Sequence, residues 1–115
     1  MLIKIDTESS RPLFEQVAGA VRAELAGGSL VPGDRLPPAK EIAAALEINV
    51  HTVLRAYQQL RDEGLIDLRR GRGAVVTVAA APLVALRAEV ADLVRRAAGL
   101  GLSPAALAAL VKETS

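Results

Sequence analysis

Two short apolar-striped segments with only three residues between them constrain this chain more than any other feature. The first, over about residues 38–46, places Ile42, Ala43 and Leu46 on one side. The second carries Val53, Tyr57 and Leu60 at i, i+4 and i+7, the period of one helix face, and stops at Gly64. Between them lies Glu47-Ile48-Asn49. Asn49 suits a helix N-cap, because its side-chain oxygen can accept from a backbone N–H two or three residues on. Pro38 suits the first turn of the earlier helix, where the N–H it lacks would have no intrahelical partner. Two short helices joined by a three- or four-residue turn make a helix-turn-helix.

The flanking segments extend this reading. Leu2-Ile3-Lys4-Ile5 alternates like a short strand. Ser10 and Pro12 read as an N-cap and first-turn proline for a helix striped by Leu13, Val17, Val21 and Leu25, which Gly27-Gly28 stops. Pro32-Gly33 marks a turn. After Gly64, Leu65-Ile66-Asp67-Leu68 and Ala74-Val75-Val76-Thr77-Val78 are strand-like and enclose Arg69-Arg70-Gly71-Arg72-Gly73, the pattern of a β-hairpin. The order helix, helix, turn, helix, hairpin is a winged helix. Beyond the hinge-like Ala79-Ala80-Ala81-Pro82, apolar residues from Leu83 to Ala97 stripe one helix. Gly99-Leu100-Gly101 breaks it, and Ser103-Pro104 starts a second. The fold class expected is mainly α with a small β-hairpin. Residues 1–78 form a winged helix domain and residues 79–115 a C-terminal helical hairpin.

Composition removes several function classes. There is no cysteine and a single histidine, His51, so a thiolate metal site is impossible and a histidine-based zinc site has no ligand set. No nucleophile, base and acid read as a triad, so no enzyme and no cofactor is expected. No segment has the ~18–20 unbroken apolar residues of a membrane span, and Asp6 interrupts what a signal peptide would continue. A cytoplasmic protein that does not engage a membrane is expected. Net charge is only +1, but its distribution is uneven. Residues 1–34 carry three basic and five acidic side chains, residues 35–78 seven and five, and residues 79–115 four and three. A local basic patch binds phosphates even on a near-neutral protein.

Candidate binding residues follow from these positions. The first residues of the second helix of such a motif approach base edges in the major groove. Asn49 and His51 can donate or accept there, Thr52 suits a phosphate beside the helix-start amides, and Arg55 suits guanine or phosphate. At the hairpin tip, Arg69, Arg70 and Arg72 repel one another unless a counter-charge such as DNA phosphate is supplied. Gly71 permits close backbone approach. Lys40, on the first helix of the motif, suits phosphate. Arg35 is expected instead to support its turn through Asp34 or Glu41. The C-terminal hairpin cannot bury both its faces alone. Pairing with a second copy through residues 83–112 would bury them and present two recognition helices to a palindromic site. The rival reading is a winged helix that binds protein and not DNA; the arginine tip and the polar helix start favour double-stranded DNA.

The ordered set Pro12-Leu13-Phe14-Glu15-Gln16-Val17, Gly33-Asp34-Arg35-Leu36-Pro37, Glu41-Ile42-Ala43, Asn49 to Tyr57, Glu63-Gly64-Leu65-Ile66 and Arg70-Gly71-Arg72-Gly73 resembles the GntR family of bacterial regulators. The Asn-x-x-Thr-Val-x-Arg-Ala-Tyr run and the short C-terminal hairpin are similar to its YtrA subfamily. This resemblance implies a homodimeric DNA-binding regulator, usually a repressor and often of operons that include ABC transporter genes. It implies DNA contacts at Lys40, Asn49, His51, Thr52, Arg55, Arg70, Gly71 and Arg72. The chain departs from the family pattern at Pro38 (usually Ser), Lys40 (usually Arg), Val50 (often Pro) and His51 (often Asn). Lysine lacks the bidentate fork of arginine, so a contact at Lys40 differs in kind. Only about 35 residues follow the hairpin, without aromatic or histidine side chains and with few polar groups. A small-molecule site needs several convergent polar groups, so no effector is expected to bind the hairpin itself; a pocket at the dimer interface is the alternative.

Overall fold

In the computed structural model, which describes residues 1–115, the organising element is a helix whose one face is withdrawn entirely from water. This helix, α3 (Val50–Asp62), buries Val53, Ala56, Tyr57 and Leu60. It packs against α1 (Leu13–Ala26), which buries Val17, Ala18, Val21 and Leu25, and against α2 (Ala39–Leu46), which buries Ile42 and Ala43. The hairpin β1 (Ile66–Arg69) and β2 (Gly73–Val76) is antiparallel with Ile66 opposite Val76, and it closes the core with Ile66, Ala74 and Val76. The chain divides into two compact units, Met1–Val84 and Ala85–Ser115. The first is the helix-turn-helix with its wing. α4 (Pro82–Gly99) begins in the last residues of the first unit, and in the second it gives way at Gly101 to α5 (Pro104–Thr114). Ser103 caps α5, its Oγ accepting from the Ala106 N–H at 3.1 Å.

The turn of the motif is built by backbone geometry as much as by Asn49. Glu47 ends α2 in the left-handed region (φ 56°, ψ 44°), and the Ile48 N–H returns to the Ala43 carbonyl at 3.0 Å. Asn49 then caps α3, its Oδ1 accepting from the His51 N–H at 2.8 Å. Gly64 (φ +81°) turns the chain out of α3 into β1. Across the domain, Arg22 on α1 grips Glu63 just past α3 with two short hydrogen bonds, 2.7 and 2.6 Å. The Arg22 hydrogen bond holds the Glu63 carboxyl below its usual range despite partial desolvation, and the same bond raises Arg22.

Three expectations need correction. Residues 2–5 form no strand; the only sheet is β1-β2, so this segment has no partner to pair with. Ile3 is buried instead, and Gln16 fastens the segment by exchanging hydrogen bonds with the backbone of Asp6 at 2.7 and 3.0 Å. Ser10 is not the cap of α1. Pro12 occupies that position without any side-chain cap, and Ser9 Oγ accepts from the Arg11 N–H. Val78 is not in the second strand, because residues Val78–Ala80 wind into a 3-10 turn that buries Ala80. The wing also gains an edge that the sequence pattern did not mark. The Gly33 and Leu36 N–H groups donate to Val76 and Ala74, Val76 donates back to Asp34, and Arg35 bridges Val75.

A non-glycine residue in the left-handed region costs ~1–2 kcal/mol, of which glycine's extra unfolded-state freedom takes back ~0.5–1 kcal/mol. Glu47→Gly is therefore expected to raise stability by roughly 0.5–1 kcal/mol, read as a higher urea midpoint at unchanged slope. An unchanged or lower midpoint would contradict this account of the turn.

Candidate nucleic-acid interface

The expected binding residues lie in three places on the first unit. Asn49, His51, Thr52 and Arg55 line one open depression of about 430 Å³ at the start of α3, together with Leu13 and Phe14 of α1. Arg70, Gly71 and Arg72 form the wing tip, and Lys40 is exposed on the first turn of α2. The cap role of Asn49 uses only its Oδ1, which leaves the amide N–H donors available to an outside acceptor. His51 is exposed and Thr52 half-buried, so the helix start offers both donors and acceptors on its outer face.

The wing tip is a tight turn in which the Arg72 N–H donates to the Arg69 carbonyl at 3.0 Å. Gly71 sits third in that turn at φ +79°, the left-handed position that a type II turn requires, and Gly73 follows at φ +71°. A Cβ at either glycine would meet nothing within 4 Å, so the backbone angle demands glycine and the space around it is open for approach. Arg69 is tied to Asp67 on its own strand at 3.3 Å. Arg70 and Arg72 are in none of the ion pairs, which are Arg22–Glu63, Arg61–Asp62, Arg69–Asp67 and Arg95–Asp92. Two uncompensated cations, not three, therefore stand at the tip.

Arg35 does not pair with Asp34 or Glu41 as expected. Asp34 turns its carboxylate to the Val31 N–H at 3.0 Å to close the turn, while the backbone of Arg35 joins the wing through Val75. The Arg35 side chain is exposed and free of carboxylates, a further cation beside β2. Two other features escaped the pattern reading. Leu54, 39% exposed, is an apolar group on the outer face of α3, and with Pro38, Leu68 and Arg70 it borders a shallow cleft of about 420 Å³ between α3 and the wing. Its signal was present: Leu54 lies between His51 and Gln58 at helical spacing on the side opposite Val53 and Leu60. The second feature, the partner of Arg55, left no local signal. The guanidinium lies 3.8 Å from the centroid of the Phe14 ring.

Tyr57 fixes the distance between the two helices of the motif. Its hydroxyl donates to the Pro37 carbonyl at 2.6 Å, just before α2 begins. Burial first, and the Glu41 carboxylate second, push the phenol up to about 12.

The family model described as bacterial regulatory proteins, gntR family, matches residues 13–76. Over 76 residues the chain is 38% identical to the HTH-type transcriptional repressor YtrA of Bacillus subtilis, covering 66% of this chain and 58% of that protein. Among solved structures it resembles YtrA from Sulfolobus acidocaldarius, a GntR-family transcription factor, at 36% identity and TM-score 0.64, covering 86% of this chain and 99% of that one. The AraR(DBD) chain solved in complex with operator ORX1 matches at TM-score 0.60 and 21% identity over 67% of this chain and 96% of that one, a likeness of fold alone. No single helix of the chain is long and apolar enough to cross a membrane.

The raised phenol gives a titration test. The single tyrosine is expected to stay protonated in the folded chain through pH ~10, where an unfolded tyrosine ionises. It should release its proton toward about 12. Because the folded value is the higher one, this stabilisation is fully present below pH ~10 and is lost as pH rises through the folded value. Near-ultraviolet tyrosinate absorbance of native and urea-unfolded chain would check it, and coincident curves would refute it.

Proposed function

Because the chain belongs to the gntR family of bacterial regulatory proteins, we propose that it is a transcription regulator that binds double-stranded DNA as a homodimer and represses by occluding a promoter. The observation that carries this reading is the pair of uncompensated arginines, Arg70 and Arg72, on a glycine-shaped tip in the same compact unit as a capped helix with a polar start. In this reading α3 enters the major groove. The Asn49 amide and His51 address base edges, while Thr52, Arg55 and Lys40 hold the backbone. Arg70 and Arg72 neutralise phosphate from the wing, and Gly71 lets the turn come close. Such a regulator works in the cytoplasm, where its DNA is.

The homodimer rests on the second unit. Val90 and Val111 are more than half exposed, as is Leu110, and Leu86 and Leu93 nearly so, while α5 buries nothing. Apolar side chains left this open along two helices are what a second copy covers, through residues 83–112. A two-fold axis there gives two recognition helices and hence a palindromic operator. The repressor reading draws support from the name of the Bacillus subtilis relative. No effector is proposed, because the groove beside Val90, Leu93, Leu107 and Val111 is apolar and lacks convergent polar groups.

Fragments of the source genome shifted by the chain at two salt concentrations would establish specific binding; uniform salt-sensitive binding to all fragments, or none, would remove the regulator reading. Arg70→Ala and Arg72→Ala are each expected to weaken operator and competitor DNA alike, and to lower the slope of log affinity against log salt by roughly 0.9 per lost phosphate contact. Parent-like binding across the salt series would exclude the wing. Leu93→Asp is expected to turn a sedimenting dimer into a monomer and to reduce operator affinity with its helical circular dichroism kept. A monomeric parent would exclude the dimer.

A further inference from the structure

The stack between Arg55 and Phe14 has a use that neither residue suggests alone. Four other arginines, Arg22, Arg61, Arg69 and Arg95, are held by carboxylates. Arg55 is held only by an aromatic face, from a different helix, at 3.8 Å. The two anchors differ in what they leave behind. A carboxylate neutralises the guanidinium and occupies its N–H donors. A ring face holds the guanidinium plane by dispersion and quadrupole attraction, and leaves the charge and the in-plane donors unspent. Arg55 lines the same depression as Asn49, His51 and Thr52, so those free donors stand at the start of α3.

We propose that Phe14 is a positioning residue for DNA binding: its ring fixes the guanidinium of Arg55 so that the in-plane donors meet the two oxygens of one backbone phosphate beside the recognition helix. The inference rests on the DNA-binding reading above. It makes α1, which lies outside the helix-turn-helix, part of the binding apparatus. A planar fork held in advance loses less freedom on meeting a bidentate acceptor than a side chain that must be ordered at contact. Lysine at position 55 would keep the charge and lose both the plane and the fork.

The test is a double-mutant cycle on the full chain, using a genomic fragment that the parent shifts. Phe14→Met keeps apolar bulk and removes the ring face; it is expected to weaken binding two- to fivefold, the range of an exposed cation–π contact. Phe14→Tyr keeps the face and is expected to bind like the parent. Arg55→Ala is expected to lower the salt slope by roughly 0.9, and in that background Phe14→Met is expected to cost nothing further. An equal loss from Phe14→Met with and without Arg55 would assign Phe14 a packing role only and overturn the proposal. Should Phe14→Met fail to fold, Phe14→Leu takes its place in the same cycle, with the same two outcomes: a loss that vanishes without Arg55 supports the proposal, and an equal loss with and without Arg55 overturns it. A parent that shifts no fragment overturns the DNA-binding reading itself, and this inference with it.

Discussion

The first unit depends on the complete withdrawal of one face of α3 from water. Val53, Ala56 and Leu60 are 0% exposed and Tyr57 only 3%. Burial of an aliphatic side chain of this size is worth ~1.5–3 kcal/mol, and this face meets α1, α2 and the wing within two turns of helix. The opposite face is thereby committed to solvent. His51, Leu54, Arg55 and Gln58 are all exposed, and they are the side chains that a groove would meet. Aromatic content is too low for bulky rings to build this core, so small aliphatic residues do it, and the two rings present are spent at boundaries. Tyr57 ties α3 to the entrance of α2, and Phe14 ties α1 to the outer side of α3.

Charge is handled with the same economy. A chain of net charge +1 cannot rely on a global field to find a polyanion. Arg22, Arg61, Arg69 and Arg95 are quenched by nearby carboxylates. Arg35, Arg55, Arg70, Arg72 and Lys40 are in none of these pairs, and these five cluster in or beside the helix-turn-helix and its wing; the other unpaired cations, Lys4, Arg11, Arg87, Arg96 and Lys112, lie elsewhere. Local pairing decides which cations remain available, and summed charge does not.

Much of this was legible in the sequence because it is local. The spacing of Ile42, Val53, Tyr57 and Leu60 fixed the two helices, Asn49 marked the cap, and Gly64, Gly71 and Gly73 marked the places where φ turns positive. What escaped is non-local or partner-dependent. A strand at residues 2–5 needs a neighbour, which the fold does not provide. The likeness of Ser10 to a cap could not reveal that Pro12 would take the position. The left-handed Glu47 has no sequence signature, since its conformation is imposed by the helices on either side. Phe14 and Arg55 meet only once α1 has packed on α3, as do Gly33–Leu36 and β2 once the core has closed.

That last pairing changes what kind of object the wing is. An isolated two-stranded hairpin is marginal in water. Here β2 is hydrogen bonded on both edges, to β1 on one side and to the stretch leading into α2 on the other. The segment that lends support belongs to the connection between two helices of the core. The base of the wing is consequently no loose appendage: for β2 to come away at Ala74–Val76, the entrance to α2 must come away with it. Opening the base of the wing therefore draws on the stability of the helices it is bonded to, and not on that of a two-stranded hairpin alone.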